Sequence, residues 1–299
     1  MKKLIRTLAI AALALLATGY SGLALEDSEI RRLASSEHLV AAAKAFRGSF
    51  GSFIRENGLK EHDFDEYIQR SLATYYRGEF SRRFHAERGY TLAWSSIDNL
   101  LSSLDDVSLA FQYYYISTNH NSPTEKHLLD CAKDYSTWSA QHLKFHPFFR
   151  EYIAEHNLYD LFIVDVDSGY IVYSVLKESD FATSLVDGPY AETLEGCPYA
   201  LTSQPNDCIF LDNPQRWAKP HLGQTFRSLR SSTDPEIVIQ SDTVSYFPSL
   251  EKSVQFMGTP IHDGNQQIAV LIVQLPPVEH DGESPSKLWY KSSYGAGID

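Results

Sequence analysis

The spacing of apolar residues divides the chain into two parts. From about residue 25 to residue 157, apolar side chains recur at intervals of three and four, the period of an α-helix with one buried face. The clearest stripe ends at Gly89 and consists of Phe64, Tyr67, Ile68, Leu72, Tyr75, Phe80 and Phe84. The sequence therefore predicts a helical region over residues 25–157.

Two prolines in this region stand at informative positions. Ser122-Pro123-Thr124-Glu125 combines an N-cap residue, a first-turn proline and an acidic residue, so a helix is predicted to begin there. Further on, a helix over residues 139–146 is predicted to give way at His146-Pro147 to a new or kinked helix.

From about residue 158 the pattern becomes that of β-strands. Residues 160–164 and 171–176 are rich in β-branched and aromatic residues, and Asp167-Ser168-Gly169 between them is a hairpin signal. Further strands are predicted over residues 237–240, 253–260 and 268–274, with a second turn over 262–265. Helices followed by such a sheet indicate the α+β class, with about five antiparallel strands over residues 158–277 and a polar tail over 278–299.

The first 24 residues have the pattern of a secretory signal peptide. Lys2, Lys3 and Arg6 precede an apolar stretch, and Gly22 and Ala24 supply the small residues that a cleavage site needs. An uncleaved signal anchor is the alternative interpretation. Both predict that the rest of the chain works outside the cytoplasm, in the periplasm or an equivalent compartment.

Charge and cysteine content narrow the chemistry further. The chain has a formal net charge of −12 at pH 7, and an acidic surface disfavours nucleic acids as partners because their phosphates are also anionic. Export permits disulfides, and the loop-like stretch between Cys197 and Cys208 predicts a bridge between these two residues. Cys131 is then expected to be a small buried residue.

Motifs for catalysis are scarce. His142 and His146, four residues apart, would share a helix face as two zinc ligands must, but Leu143 stands where a hydrolytic zinc site has glutamate. Packing or capping is the other interpretation of these histidines. The sequence contains neither a nucleophile elbow nor a phosphate-binding glycine loop. We therefore predict no catalytic residue, metal ion or cofactor, and keep a metal-assisted exported enzyme as an alternative.

Residues 105–277 resemble the extracytoplasmic sensor region of bacterial receptors with a Cache domain, which has a PAS-like fold. The likeness rests on the segments Tyr-Tyr-Ile before Thr118-Asn119, His146-Pro147 with Arg150, Lys177-Glu178, Asp180-Phe181, Gly188-Pro189-Tyr190 and the closing hairpin MGTPIHDGNQQIAVLIVQLP. The resemblance implies a module that binds a small molecule for signal transduction or chemotaxis and catalyses no reaction.

The resemblance also implies a cavity between one face of the sheet and the loops above it. Strand alternation puts Tyr173 and Lys177 on one face, where the tyrosine would form a wall and the lysine would attract a carboxylate. In the alternative interpretation Lys177 and Glu178 are a solvated edge pair. The expected ligand-binding residues are Tyr173, Lys177, Asp180, Thr183, Tyr190 and Tyr246.

The partners that this resemblance implies are a small organic ligand, for which a carboxylate is one candidate, and a protein that receives the signal. That protein would be a membrane receptor, or a second copy of the chain paired through the N-terminal helices. A non-signalling alternative is an exported structural or scaffolding protein whose PAS-like cavity is filled by its own side chains.

Overall fold

The computed structural model describes residues 25–191 and 221–277. The predicted signal peptide, the predicted Cys197–Cys208 bridge and the polar tail therefore lie outside the described residues. Cys131 is free and half-buried, rather than buried as expected. Within the described ranges, no helix combines the length and the apolar character needed to cross a membrane.

Helices occupy most of the first described range, as predicted. The long helix α4 is continuous and contains two π-helical turns, at Phe64–Ile68 and Tyr76–Phe80. It ends at Gly89, whose φ of 77° closes the helix in a left-handed conformation. The helices are α1 (Asp27–Ala34), α2 (Glu37–Phe50), α3 (Phe53–Glu56), α4 (Glu61–Asp63 through Ser81–Arg88), α5 (Trp94–Ser102), α6 (Asp106–Gln112, extended by a π-turn at Tyr113–Ser117), α7 (Thr137–Glu155) and α8 (His221–Arg230).

Two of the helix predictions are wrong. The helix expected to begin at Ser122 is only a 3-10 turn at Lys126–Leu128, because the Ser122 hydroxyl bonds the Glu125 carboxylate (2.7 Å) and caps no helix. The helix expected over residues 139–146 does not end at Pro147, because α7 continues through that residue to Glu155. The reason is tertiary, since one face of α7 is buried along its length and this packing holds the helix together across the proline.

The strands form a five-stranded antiparallel sheet in the order β2-β1-β7-β6-β3, which confirms the α+β class and the number of strands. A separate ribbon pairs β4 with β5. Several boundaries differ from the prediction. β2 ends at Ser174, β3 begins only at Ile239, β7 begins at Gln266, and the run over 253–260 is divided at Gln255 between β5 and β6. The strand β4 was not predicted. The strands are β1 (Asp160–Asp165), β2 (Ile171–Ser174), β3 (Ile239–Gln240), β4 (Val244–Tyr246), β5 (Lys252–Val254), β6 (Phe256–Asp263) and β7 (Gln266–Gln274).

The two faces of the sheet are covered by different elements. On one, which we call the helix face, Tyr173 stacks on Phe46 of α2 with ring centroids 4.6 Å apart. The other, the ribbon face, is covered by the β4–β5 ribbon and by α8, whose Leu229 lies directly over Gly258 of β6. The register places Asp160, Phe162, Ser174, Phe256 and Gln274 on the ribbon face.

Candidate functional site

A group of buried charged residues lies where β1 begins and β2 ends. We call Asp160, Lys177, Glu178 and Asp180 the acidic cluster. Asp160 and Asp180 are fully buried, Lys177 is 3% exposed and Glu178 is partly buried. Charged side chains are seldom buried unless they are paired or functional, so this cluster is the candidate site.

Lys177 reaches the cluster because the chain leaves the sheet early. The strand β2 ends at Ser174, and Lys177 has a φ of 58°, in the left-handed region that non-glycine residues rarely occupy. Its Nζ donates a hydrogen bond to the Ser174 carbonyl and lies 4.6 and 4.9 Å from the ring centres of Tyr173 and Phe181. The interpretation of Lys177 as a solvated edge residue is therefore wrong. Burial lowers the pKa of Lys177 to about 7, against the opposing effect of Asp160.

Asp160 is bound through only one of its two carboxylate oxygens. Its Oδ1 accepts three backbone N–H groups, those of Leu161 (2.7 Å), Val175 (2.9 Å) and Leu176 (3.1 Å). Its Oδ2 is buried and has no hydrogen-bond partner among the described residues. Burial, with the nearby Asp180 and Glu178 carboxylates, raises the pKa of Asp160 well above its ordinary value.

Asp180 shows the same asymmetry. Its Oδ2 accepts a hydrogen bond from the hydroxyl of Tyr246 (2.6 Å), whereas Oδ1 has no partner in the described part of the chain. Burial and the Glu178 carboxylate raise the pKa of Asp180 to about 7. The hydroxyl of Thr183 donates a hydrogen bond to the Asp180 carbonyl (2.7 Å) and so fixes the backbone there.

Glu178 is the well-partnered carboxylate of the cluster. It accepts hydrogen bonds from the hydroxyls of Tyr159 and Ser249, both at 2.8 Å. The Gln274 amide nitrogen donates to Ser249 (2.9 Å), which leaves Gln274 Oε1 buried and without a partner among the described residues. Burial raises the pKa of Glu178, and Arg83 of α4 opposes that shift.

Helix α6 holds the segment that carries Asp180. The buried Gln112 side chain donates through Nε2 to the carbonyls of Ser179 and Phe181, both at 3.0 Å, and accepts the Tyr76 hydroxyl at 2.7 Å. The loop after β2 is thereby tied to α6 and, through the Tyr76 hydroxyl, to α4.

The two histidines of α7 lie on the helix face. His146 Nε2 donates to the His127 carbonyl (2.6 Å), so its Nδ1 accepts the Tyr173 hydroxyl (2.7 Å). His142 stacks on His146 at 4.1 Å and donates Nδ1 to the Asp130 carbonyl (2.7 Å). Burial lowers the pKa of both imidazoles well below the ordinary value. Across the described ranges, no group of three metal-ligating side chains is arranged to hold an ion.

The structure brings five of the six predicted ligand-binding residues to one place. Lys177 and Asp180 belong to the acidic cluster, Tyr246 and Thr183 bond Asp180, and Tyr190 shares a hydrogen bond with Ser179 (2.7 Å). The sixth, Tyr173, lies on the helix face, where it is packed between aromatic rings and its ring centre is 4.6 Å from the Nζ of Lys177. The expectation that Tyr173 and Lys177 alternate on one strand face is wrong, because β2 ends before Lys177.

Sequence reasoning missed Asp160 and Gln274. The two residues are register partners on β1 and β7, so their side chains share the ribbon face. The available signal was a polar residue at one end of each of two long apolar runs, a position that also suits an ordinary strand end.

The space next to the cluster is small in this structure. A cavity of about 20 Å³ is bounded by Lys177, Glu178 and Ser179 on one side and by residues of α4, among them Arg83, on the other. Such a volume holds about one water molecule. Larger grooves of about 770 and 490 Å³ lie elsewhere, between α1 and the β6–β7 hairpin and along α4.

Comparison with protein-family models, with curated proteins and with solved structures gives no match to this chain. Fold and site together define an α+β protein with a buried acidic cluster at one end of its sheet.

Proposed function

We propose that this protein is an extracytoplasmic sensor module that binds a small organic molecule for signal transduction or chemotaxis and catalyses no reaction itself. The observation that carries the proposal is the pair of buried carboxylate oxygens, Asp160 Oδ2 and Asp180 Oδ1, that have no partner among the described residues.

Such groups are costly to keep in a folded protein. A buried polar atom without a hydrogen bond costs about 1–3 kcal/mol, and a charged one costs more. Apolar side chains of similar size would stabilise the same position better. Retention of three carboxyl groups and a lysine in one buried cluster therefore favours a role in binding over a role in stability.

The location of the cluster suits a sensor. The segment after β2 contains two residues with left-handed backbone, Lys177 and Ala182, and Gln112 ties this segment to α6. A ligand that prefers one arrangement of the segment would shift the contacts between sheet and helices by its difference in affinity for the two arrangements. The proposed output is a membrane receptor, or a second copy of the chain that pairs through the N-terminal helices.

The sequence supplies the remaining support for this proposal. The basic and apolar N-terminus is typical of export, and the likeness of residues 105–277 to Cache sensor regions is what suggests signalling rather than transport or storage.

One observation favours a second candidate, an exported structural protein. The cavity beside the cluster is about 20 Å³, and Tyr173 is packed against Phe46 and His146 rather than open to a ligand. In this alternative the fold is filled by its own side chains and binds nothing.

A thermal-shift screen separates the two candidates. The purified protein is tested against amino acids, amines and organic acids, together with an Asp180→Asn variant and a control, Asp263→Asn, which removes an exposed carboxylate paired with Lys44 (2.6 Å). A sensor gives a rise in Tm with at least one compound, which Asp180→Asn weakens and Asp263→Asn preserves. The absence of any shift across the whole panel would overturn the proposal and leave the structural candidate.

A further inference from the structure

The unpartnered polar atoms on the ribbon face have one property in common. Asp160 Oδ2, Asp180 Oδ1 and Gln274 Oε1 can only accept hydrogen bonds unless a carboxyl is protonated, and all three residues are fully buried. Ser174 Oγ, also unpartnered within the described ranges and on the same face, can donate or accept. When both carboxyl groups are ionised, the site therefore lacks donors rather than acceptors.

The charges of the acidic cluster also favour a ligand that donates hydrogen bonds, namely a cation. Glu178 is satisfied by two hydroxyls and faces Arg83, so it needs no further cation. Lys177 interacts electrostatically with Asp160, but its Nζ already donates to the Ser174 carbonyl. A carboxylate ligand would add a negative charge beside Asp160 and Asp180, whose own ionisation is already disfavoured by burial and by neighbouring carboxylates. An ammonium group would supply both the missing charge and the missing N–H donors.

We infer that the ligand of this site is a small organic cation with a protonated amine, which donates hydrogen bonds to Asp160 Oδ2, Asp180 Oδ1 and Gln274 Oε1. The inference rests on the proposed function, and it replaces the carboxylate that Lys177 alone suggested.

Proton release on binding is a consequence. Without a cation, burial keeps the two aspartates protonated to a higher pH than usual, with the pKa of Asp180 near neutrality at about 7. An ammonium ligand favours the ionised carboxylates and so displaces the proton. The pKa of Lys177 is also about 7, so Lys177 loses its positive charge as the pH rises. This loss also favours binding of a cation at higher pH.

Other titratable groups that act on the cluster do not reverse this effect. Three tyrosines and one arginine near the cluster have a raised pKa, and two histidines have a lowered pKa. Each of these groups therefore keeps one protonation state from pH 6 to pH 8. They are Tyr159 of β1, Tyr173 of β2, Tyr246 of β4, Arg83 of α4, and His142 and His146 of α7. Lys252 of β5 adds a positive charge on the side of Glu178.

Isothermal titration calorimetry tests the inference with probes of matched size. The panel contains short primary amines, the carboxylates of the same chain length, the corresponding amino acids, and the trimethylammonium analogue of each amine. We expect binding by members that carry a primary ammonium, about tenfold tighter at pH 8 than at pH 6, since the ionised fraction of a group with a pKa of about 7 rises by that factor. Proton release should appear as a dependence of the heat on the buffer. The trimethylammonium analogues should bind at least about tenfold more weakly, because they have no N–H to donate.

Two variants test whether the binding of amines depends on Asp180. Asp180→Asn should weaken amine binding about tenfold or more and reduce the pH dependence to the part that Lys177 contributes, while Asp263→Asn should change neither. If Asp180→Asn does not fold, the pH dependence and proton release of the unaltered protein decide the question.

The outcomes distinguish this inference from the proposed function. If the compounds that bind carry no primary ammonium group, or if affinity falls as the pH rises, the inference is overturned and the sensor proposal stands. If neither this panel nor the thermal-shift screen yields a ligand, both are overturned.

Discussion

Replacement of Asp180 by asparagine is expected to stabilise the protein at pH 8 and to have a much smaller effect at pH 5. Asn keeps the shape of the side chain and an oxygen that can accept the Tyr246 hydroxyl. In the unaltered protein, burial and Glu178 raise the pKa of Asp180 from 3.8 to about 7. Between these values the folded chain holds a proton that the unfolded chain has released. The free energy of unfolding therefore falls as the pH rises through this window.

The size of the effect follows from the shift. One pKa unit corresponds to about 1.4 kcal/mol, so a shift of about three units gives an upper limit of about 4 kcal/mol. Between pH 5 and pH 8 the expected loss is about 2–3 kcal/mol. Lys177 acts in the opposite direction above pH 7, because there the unfolded chain binds a proton that the folded chain lacks. The difference between variant and unaltered protein reports Asp180 together with its effect on the pKa of Asp160, while the burial of Lys177 is common to both.

Urea unfolding followed by circular dichroism at intervals from pH 5 to pH 8 measures this difference. The gap between Asp180→Asn and the unaltered protein should widen steadily with pH, while Asp263→Asn should run parallel to the unaltered protein throughout. Parallel curves for Asp180→Asn over the same range would show that the carboxyl ionises normally in the folded state, and the reasoning about the acidic cluster would fail.

Three further substitutions test the packing around the site by urea unfolding at pH 7. Phe46→Ala removes a fully buried ring from the helix face and should cost about 3–5 kcal/mol, whereas Leu143→Ala, at a side chain that is 53% exposed, should change stability by less than about 0.5 kcal/mol. Gly258→Ala puts a Cβ 2.7 Å from a side-chain atom of α8 and should cost about 1–3 kcal/mol, while Gly78→Ala in open space should be neutral or stabilise by up to about 1 kcal/mol. Gln112→Ala removes the side chain that bonds two carbonyls and the Tyr76 hydroxyl and should cost about 2–4 kcal/mol. An equal loss for both glycine variants, or none for Phe46→Ala or Gln112→Ala, would contradict the packing described.

Local pattern was enough to find most of the secondary structure, although it missed the strand β4. Periods of three to four and of two residues are set by backbone geometry, so the helical region, the hairpin at Gly169 and the five strands could be read from the order of residues. The errors came where tertiary contacts overrode local preference. Packing carried α7 across Pro147, and a side-chain hydrogen bond at Ser122 replaced a helix cap.

The candidate site was only partly accessible from sequence. Lys177, Asp180 and Tyr246 were named because of a family resemblance, whereas Asp160 and Gln274 came together only through the register of β1 with β7. A hairpin turn predicts which consecutive strands pair, but β1 and β7 are far apart in sequence, and their pairing and offset depend on contacts between distant parts of the chain.

Sequence alone thus determined the α+β class and most of the residues that line one end of the sheet. Tertiary structure decided which face each of them occupies and how deeply its charge is buried. Burial is a property of the surrounding layers, and it is burial that moves the pKa values of Asp180 and Lys177 to about 7 and leaves carboxylate oxygens without partners among the described residues.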